Sequence, residues 1–211
     1  LFSDGVKAAA QKIGKGSEKF AMHSKGLEFS GYDPRAYPTQ ALGYATADIG
    51  AHHNRLWAIT LDITMDRDSY KEQKVRQAIE HQNIRSLFDS LGACRFPWCE
   101  LAVNMEIYRR LYVSATGVDV HLDDMVKASE RVYNLTRAIN IRQGLTRADD
   151  WLPERVFTDP IPEGPLKGAM LNKEKFRAMI DQYYDLRGWS SDGIPRREKF
   201  VSLGLEDVAD F

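Results

Sequence analysis

The sequence predicts a mainly α protein, an irregular multi-helix domain with long loops. Three observations carry this reading. Apolar residues recur at helical spacing in several segments between 72 and 203. Gly92, Gly117, Gly144, Gly188 and Gly204 stand where those segments would stop, as left-handed C-caps do. No stretch sustains the alternation of a half-buried strand, and no internal repeat is visible.

Along the chain, Ser3 reads as the cap of a helix to about Ile13, with Val6, Ala9, Ala10 and Ile13 on one face and Gly14 as its stop. Residues 14–36 are rich in Gly, Ser and Lys and read as irregular. Pro38 suits the first turn of a short helix ending near Asp48. Residues 51–64 mix small, apolar and polar types and support no assignment by periodicity. Ser69 and Glu72 have capping-box spacing for a long helix to Leu91, with Val75, Ile79, Leu87, Phe88 and Leu91 as its apolar stripe. A further helix is expected over Met105–Ala115. Another is expected over Leu122 to about Arg142, with Met125, Val132, Leu135 and Ile139 inward. Four of the eight prolines (Pro153, Pro160, Pro162, Pro165) mark residues 145–171 as a long loop. Asn172 can cap a helix that buries Phe176, Met179, Ile180 and Tyr183, and Pro195 opens a last short helix to Leu203.

Composition narrows the function classes. The 211 residues carry 29 basic and 30 acidic side chains, a net charge of −1, so no basic excess exists to bind nucleic acid. A hydrophobic fraction of 43% is ordinary for a globular core. No apolar run approaches the ~20 residues that span a bilayer, and no signal peptide is read, so cytoplasmic residence is expected. The chain begins at Leu1 rather than Met, which reads as a fragment or processed product. Two cysteines do not make a disulfide framework.

The residues with chemical promise cluster at Asp89-Ser90-Leu91-Gly92-Ala93-Cys94-Arg95. A carboxylate and a thiol stand five positions apart across a glycine at the end of a long expected helix. The bland reading of Cys94 is a buried structural thiol; the sharp one is an iron or zinc ligand. Cys99 could join it with a histidine in a small zinc site, but two thiols cannot complete a four-thiolate cluster without ligands from elsewhere. Asp89 opposes the dipole at a helix C-terminus, which raises a functional question, such as accepting N–H bonds from an aminopyrimidine ring. His53 follows His52. One of the two is expected outward and the other inward, with His53 as a proton-transfer candidate whose neutral form Arg55 would favour. Asp33-Pro34-Arg35 reads as a loop-fixing turn, and the aromatic run from Tyr183 to Trp189 as core packing.

These segments together resemble the C-terminal region of the tungsten-dependent aldehyde:ferredoxin oxidoreductase family. The matching residues are Lys25-Gly26-Leu27-Glu28, Tyr32-Asp33-Pro34-Arg35, Leu42-Gly43-Tyr44-Ala45-Thr46, Gly50-Ala51-His52-His53 with Arg55, and the Asp89…Gly92-Ala93-Cys94 segment, which is similar to that family's second pterin motif. Glu130-Arg131 through Gly144, Asp149-Asp150 with Leu152-Pro153 and Arg155, and Tyr183 through Pro195 continue the pattern. The resemblance implies a C-terminal helical domain of a larger enzyme, with residues 1–24 leading from a preceding domain and 25–211 carrying the pterin motif.

The resemblance further implies a tungsten (or molybdenum) bis-pterin beside a [4Fe-4S] cluster. Cys94 would be the fourth cluster ligand, and Asp89, Gly92, Ala93 and Arg95 would border one pterin. His53 would be the catalytic residue beside the metal. Ala93 replaces the usual leucine, Arg95 the usual lysine, and His52 stands where cysteine or aspartate is frequent. The implied activity is oxidation of aldehydes to carboxylic acids, with electrons passing through the cluster to ferredoxin. The implied partners are the N-terminal domains of the same polypeptide, ferredoxin or another electron-transfer subunit, a small-molecule aldehyde and a second copy in a homodimer, with no nucleic acid and no membrane. The isolated chain is expected to retain no cofactor and to be inactive. Reduction of aromatic acyl thioesters, or a cofactor-free helical interaction module, are the alternatives.

Overall fold

The structure, a computed structural model, describes residues 3–209, so the outermost bounds of the segments 1–24 and 25–211 lie outside the described residues. Among the described residues the regular structure is ten α-helices and one two-stranded sheet, with a few short 3-10 turns. The helices are α1 (Gly5–Ile13), α2 (Pro38–Thr46), α3 (Ile59–Thr64), α4 (Glu72–Leu91), α5 (Phe96–Leu101), α6 (Met105–Thr116), α7 (Leu122–Arg142), α8 (Arg155–Thr158), α9 (Lys173–Arg187) and α10 (Arg197–Leu203). Strands β1 (His23–Ser24) and β2 (Leu27–Glu28) pair antiparallel, His23 opposite Glu28. The mainly α expectation is met. No described helix is long and apolar enough to cross a membrane.

Helix α4 is the axis of the fold. It packs on α7 and α9, while α2 lies against α3, α4 and α9. Between them sits the core, with Leu42, Tyr44, Val75, Phe176, Met179, Ile180, Tyr183 and Trp189 buried. Each such side chain contributes about 1.5–3 kcal/mol by leaving water. The Asn172 cap forms as expected, its Oδ1 accepting from the Lys175 N–H at 2.9 Å. Asn104 caps α6 in the same way, accepting from the Glu106 N–H at 2.9 Å.

Other local expectations fail for tertiary reasons. Ser3 does not cap α1, which starts at Gly5 behind Asp4, and Ile13 is exposed. The Ser69/Glu72 capping box does not form. Ser69 Oγ donates to the Asp66 carbonyl at 2.9 Å, and Glu72 accepts from Arg76 one turn on at 2.7 Å. The buried face of α4 includes Lys74, Gln82, Asn83, Arg85 and Ser86, whereas Ile79 and Leu91 are only half-buried. On α7 the inward face holds Tyr133, Asn134, Arg137 and Ala138, leaving Val132 and Ile139 exposed. Helices α3 and α5, six residues each, are too short to show a period.

Buried polar groups are matched across the fold rather than along it. Arg187 on α9 donates to Asn83 at 2.6 Å and Gln82 at 2.7 Å on α4, with its guanidinium 4.0 Å from the Tyr133 ring centroid on α7. The Trp189 indole N–H donates to Asn134 Oδ1 at 2.8 Å. Helix α2 has no local side-chain cap; Asp62 of α3 supplies it, accepting from the Thr39 N–H at 3.0 Å and the Gln40 N–H at 3.1 Å. Lys74 of α4 neutralises that carboxylate at 2.9 Å, both side chains fully buried.

Asp150 holds the hairpin to the helices. Its carboxylate meets Lys25 at 2.8 Å and Arg137 at 2.7 Å and accepts from the Tyr184 hydroxyl at 2.5 Å. Burial alone would raise its pKa, but the two cations outweigh burial and hold it below the ordinary 3.8. The unfolded chain therefore takes up this proton before the folded chain does. The stabilisation is complete above the ordinary carboxylate value and is lost as pH falls through the folded one. Denaturation midpoints followed downward from about pH 4 should drop steeply, and Asp150→Asn should flatten that slope.

Candidate functional site

The end of α4 and the loop after α2 build one wall each of a cavity of about 340 Å³. Gly92 adopts φ 60°, the left-handed conformation expected of it. The Gly92 N–H bonds the Asp89 carbonyl at 3.3 Å and the Ala93 N–H bonds the Phe88 carbonyl at 3.1 Å. This closure turns Cys94 and Arg95 off the helix axis. The Tyr108 hydroxyl of α6 then donates to the Cys94 carbonyl at 3.2 Å and pins the turn. Cys94 itself is exposed, which excludes the buried structural role.

The opposite wall begins at Gly50, whose φ is 102°. A Cβ there would come within 2.5 Å of the Ser24 carbonyl, so only glycine lets the loop run so close to the hairpin. The loop delivers His52 and His53 side by side, their rings stacked at 4.9 Å and 15°. They therefore do not divide into one outward and one inward residue; the loop bends so that both face the same half-buried region. Tyr32 meets the His53 ring edge-on at 5.1 Å and Trp57 at 5.9 Å, and the His53 Nδ1 is buried without a partner. Burial, then His52, Arg95 and Arg85, lower the His53 pKa, so the imidazole is neutral near pH 7. Arg55 is not among these causes. It instead joins the two walls, bonding Asp48 at 2.7 Å and, across 34 residues, the exposed Asp89.

His53, Ala93, Cys94 and Arg95 thus line one cavity, although 41 positions separate His53 from Cys94 (94 − 53). Asp89 and Gly92 stand just behind the cavity, at the helix end that shapes it. The Ala93 amide is already bonded within the helix end, so a ligand there would meet its carbonyl. Asp89 keeps one carboxylate oxygen beyond the Oδ2 that Arg55 occupies. Among the described residues no three His, Cys, Asp or Glu side chains converge as a metal site, so the zinc reading of Cys94, Cys99 and a histidine has no ligand set. Trp57 and Arg85 also line the cavity and were not singled out from sequence. Arg85 stands opposite the apolar stripe expected for α4, so helical periodicity gave no signal for it.

The cavity thus brings two cysteines, Cys94 and Cys99, to the same walls as the His53 imidazole. Comparison with known proteins shows the family to which the chain belongs. Residues 1–205 match the family model described as aldehyde ferredoxin oxidoreductase, domains 2 and 3. The chain belongs to the aldehyde ferredoxin oxidoreductase family. It is 35% identical over 198 residues to the tungsten-containing aldehyde ferredoxin oxidoreductase of Thermococcus kodakarensis, covering 91% of this chain and 32% of that protein. With the enzyme of the same name from Pyrococcus furiosus it shares 34% over 214 residues, covering 98% and 34%. The chain therefore spans about a third of the length of these relatives. Among solved structures, the active-site complex BamBC of benzoyl coenzyme A reductase shares the fold at TM-score 0.68 and 22% identity, covering 98% of this chain and 36% of that one.

Proposed function

We propose that this chain is the C-terminal part of a tungsten-pterin oxidoreductase that oxidises aldehydes to carboxylic acids and passes electrons through a [4Fe-4S] cluster to ferredoxin. The observation that carries the reading is the meeting of Cys94 and the His53 imidazole on one cavity. The tungsten-containing relatives and membership of the family support it over the cofactor-free module.

The residues present fit the implied groups. Cys94 offers an exposed thiol for the cluster, and Asp89 a carboxylate oxygen for pterin N–H groups. When bound, the pterin-held tungsten and the cluster supply a two-electron acceptor and a one-electron exit. Oxidation of an aldehyde by water releases two electrons and two protons with the acid. The neutral His53 imidazole, on the wall of the cavity, accepts one of those protons. Tyr32 and Trp57 hold the ring edge-on, and their apolar faces restrict water around it. Arg95 places positive charge beside the position of an anionic cofactor. Remaining cluster thiols and the other pterin contacts would come from the N-terminal domains of the same polypeptide, and residues 1–24 would lead from them. On this reading the isolated chain is inactive, and the complete enzyme is a cytoplasmic partner of ferredoxin that can form a homodimer.

The full-length protein, purified anaerobically, should contain tungsten and iron and reduce ferredoxin with an aldehyde but not act on an aromatic acyl thioester. A metal-free protein sinks the proposal, and thioester activity alone replaces the substrate class. His53→Asn should lower kcat by about 10²–10⁴-fold with tungsten and iron content unchanged. Unaltered turnover would remove His53 from proton transfer.

A further inference from the structure

His52 lies flat against His53, with ring centroids 4.9 Å apart and planes 15° apart. Stacking of this kind is favourable between aromatic rings and covers one face of the His53 imidazole. Tyr32 and Trp57 meet the same imidazole near-perpendicularly, at 5.1 Å and 5.9 Å. These two have supports of their own. Their rings touch each other at 4.7 Å, and the Tyr32 carbonyl accepts from the Tyr44 hydroxyl at 3.1 Å. His81 of α4 bonds the Trp57 backbone and meets Trp98 of α5 edge-on at 5.4 Å. Trp57, Arg85 and Cys99 also line a second cavity of about 370 Å³. With a cavity on either side of Trp57, the His53 ring has room to turn unless its contacts hold it.

The backbone fixes His52 itself. Its Nδ1 accepts from the Asn54 N–H at 3.0 Å, two residues on, as an asparagine side chain does in a turn. An accepting Nδ1 places the proton of the neutral ring on Nε2. The loop that carries both histidines starts at Gly50, which is pressed against the hairpin. His52 therefore keeps one tautomer and one ring plane. His53 is held differently. Its Nδ1 is buried without a partner, which leaves Nε2 as the nitrogen that can meet the cavity His53 lines. With no bond at Nδ1, ring contacts set the direction of Nε2.

We propose that His52 is a positioning residue for proton transfer: its ring, clamped by the Asn54 amide, covers one face of the His53 imidazole and holds it in the plane from which Nε2 meets the cavity. The assignment rests on the reading of His53 as the proton acceptor in aldehyde oxidation. It separates two properties of His52, the flat ring that stacks and the nitrogen that accepts a backbone bond. Only the ring acts on His53 directly.

The test uses the full-length enzyme and two readouts. His52→Phe and His52→Tyr keep a flat ring and lose the acceptor. His52→Asn keeps an acceptor for the amide of residue 54 and loses the ring. Steady-state kinetics with an aldehyde reads kcat and KM. Deuterium exchange at the His53 ring C2 position, followed by mass spectrometry at a pH where the imidazole is neutral, reads access to the ring without turnover. His52→Asn should lower kcat about 10–100-fold with KM within about twofold, as misplacement of a reacting group does. The same variant should speed C2 exchange at His53 by about threefold or more, because one ring face is uncovered. The Phe and Tyr variants should keep kcat within about threefold of the parent and exchange at the parental rate. The reverse order, with Asn tolerated and Phe and Tyr impaired, would make His52 a turn acceptor only and overturn the proposal. Equal effects of all three changes, or none, would also overturn it. The expected exchange pattern in an enzyme that oxidises no aldehyde would leave the stack standing and defeat the assigned reaction instead.

Discussion

Lys74→Met should destabilise the fold by about 3–5 kcal/mol, read as a fall in the denaturation midpoint at constant slope. Lys74 and Asp62 are both fully buried, and the Lys74 ammonium also donates to the Asp66 carbonyl at 2.7 Å. Methionine fills a similar volume, so little of the loss comes from packing. What remains is a carboxylate in the interior with no cation near it. Domains are typically stable by ~5–15 kcal/mol, so a loss of this size threatens folding outright. Replacing both members of a buried pair usually recovers most of such a loss. Here recovery should be incomplete, because Asp62 also caps α2 through the Thr39 and Gln40 N–H groups. The double variant Asp62→Leu with Lys74→Met should stay about 1 kcal/mol or more below the parent, the usual worth of a cap. A single variant as stable as the parent would show that the pair contributes nothing.

If Cys94 ligates the proposed cluster, Cys94→Ala in the full-length protein should remove nearly all of its iron and with it the electron exit. The thiol is exposed and the turn that carries it is held by backbone bonds, from Ala93 to Phe88 and from Tyr108 to the Cys94 carbonyl. Exposed substitutions of this kind change stability by less than about 0.5 kcal/mol, so lost iron would report lost ligation rather than lost folding. Cys99→Ala is the matched control. Its sulfur stands on α5, in the walls of both cavities, and the change should leave iron content alone. Iron at parental level in Cys94→Ala would withdraw the ligand assignment.

Local signals in the chain were reliable where local chemistry decides. The bounds of α7 and α9, the Asn172 cap and the Gly92 and Gly188 stops follow from propensity, capping and φ preference, all of which act within a few residues. The face that each long helix buries was another matter. An arginine or lysine is driven outward unless a distant group meets it. Arg187 finds Asn83 from 104 positions away, and Arg137 finds Asp150 on the opposite side of a loop. Helical periodicity contains no record of those meetings.

The candidate site divides along the same line. Asp89, Gly92 and Cys94 could be picked out as a group because they share one helix end, and His53 because its type and motif stand out. His81 and Arg85 stand one turn apart on α4, but no spacing ties that pair to Trp57 or Trp98. Their assembly comes from the loop after Gly50, the docking of α5 on α4 and the Arg55 bridge between Asp48 and Asp89.

By itself the sequence determined where α7 and α9 begin and end, the absence of a long apolar span and the thiol–carboxylate turn, since each depends on neighbours in the chain. Only the tertiary structure decided which polar side chains go inside and that His53 opens on the same cavity as Cys94. Both depend on partners tens of residues apart, whose attraction outweighs desolvation only once the helices have packed.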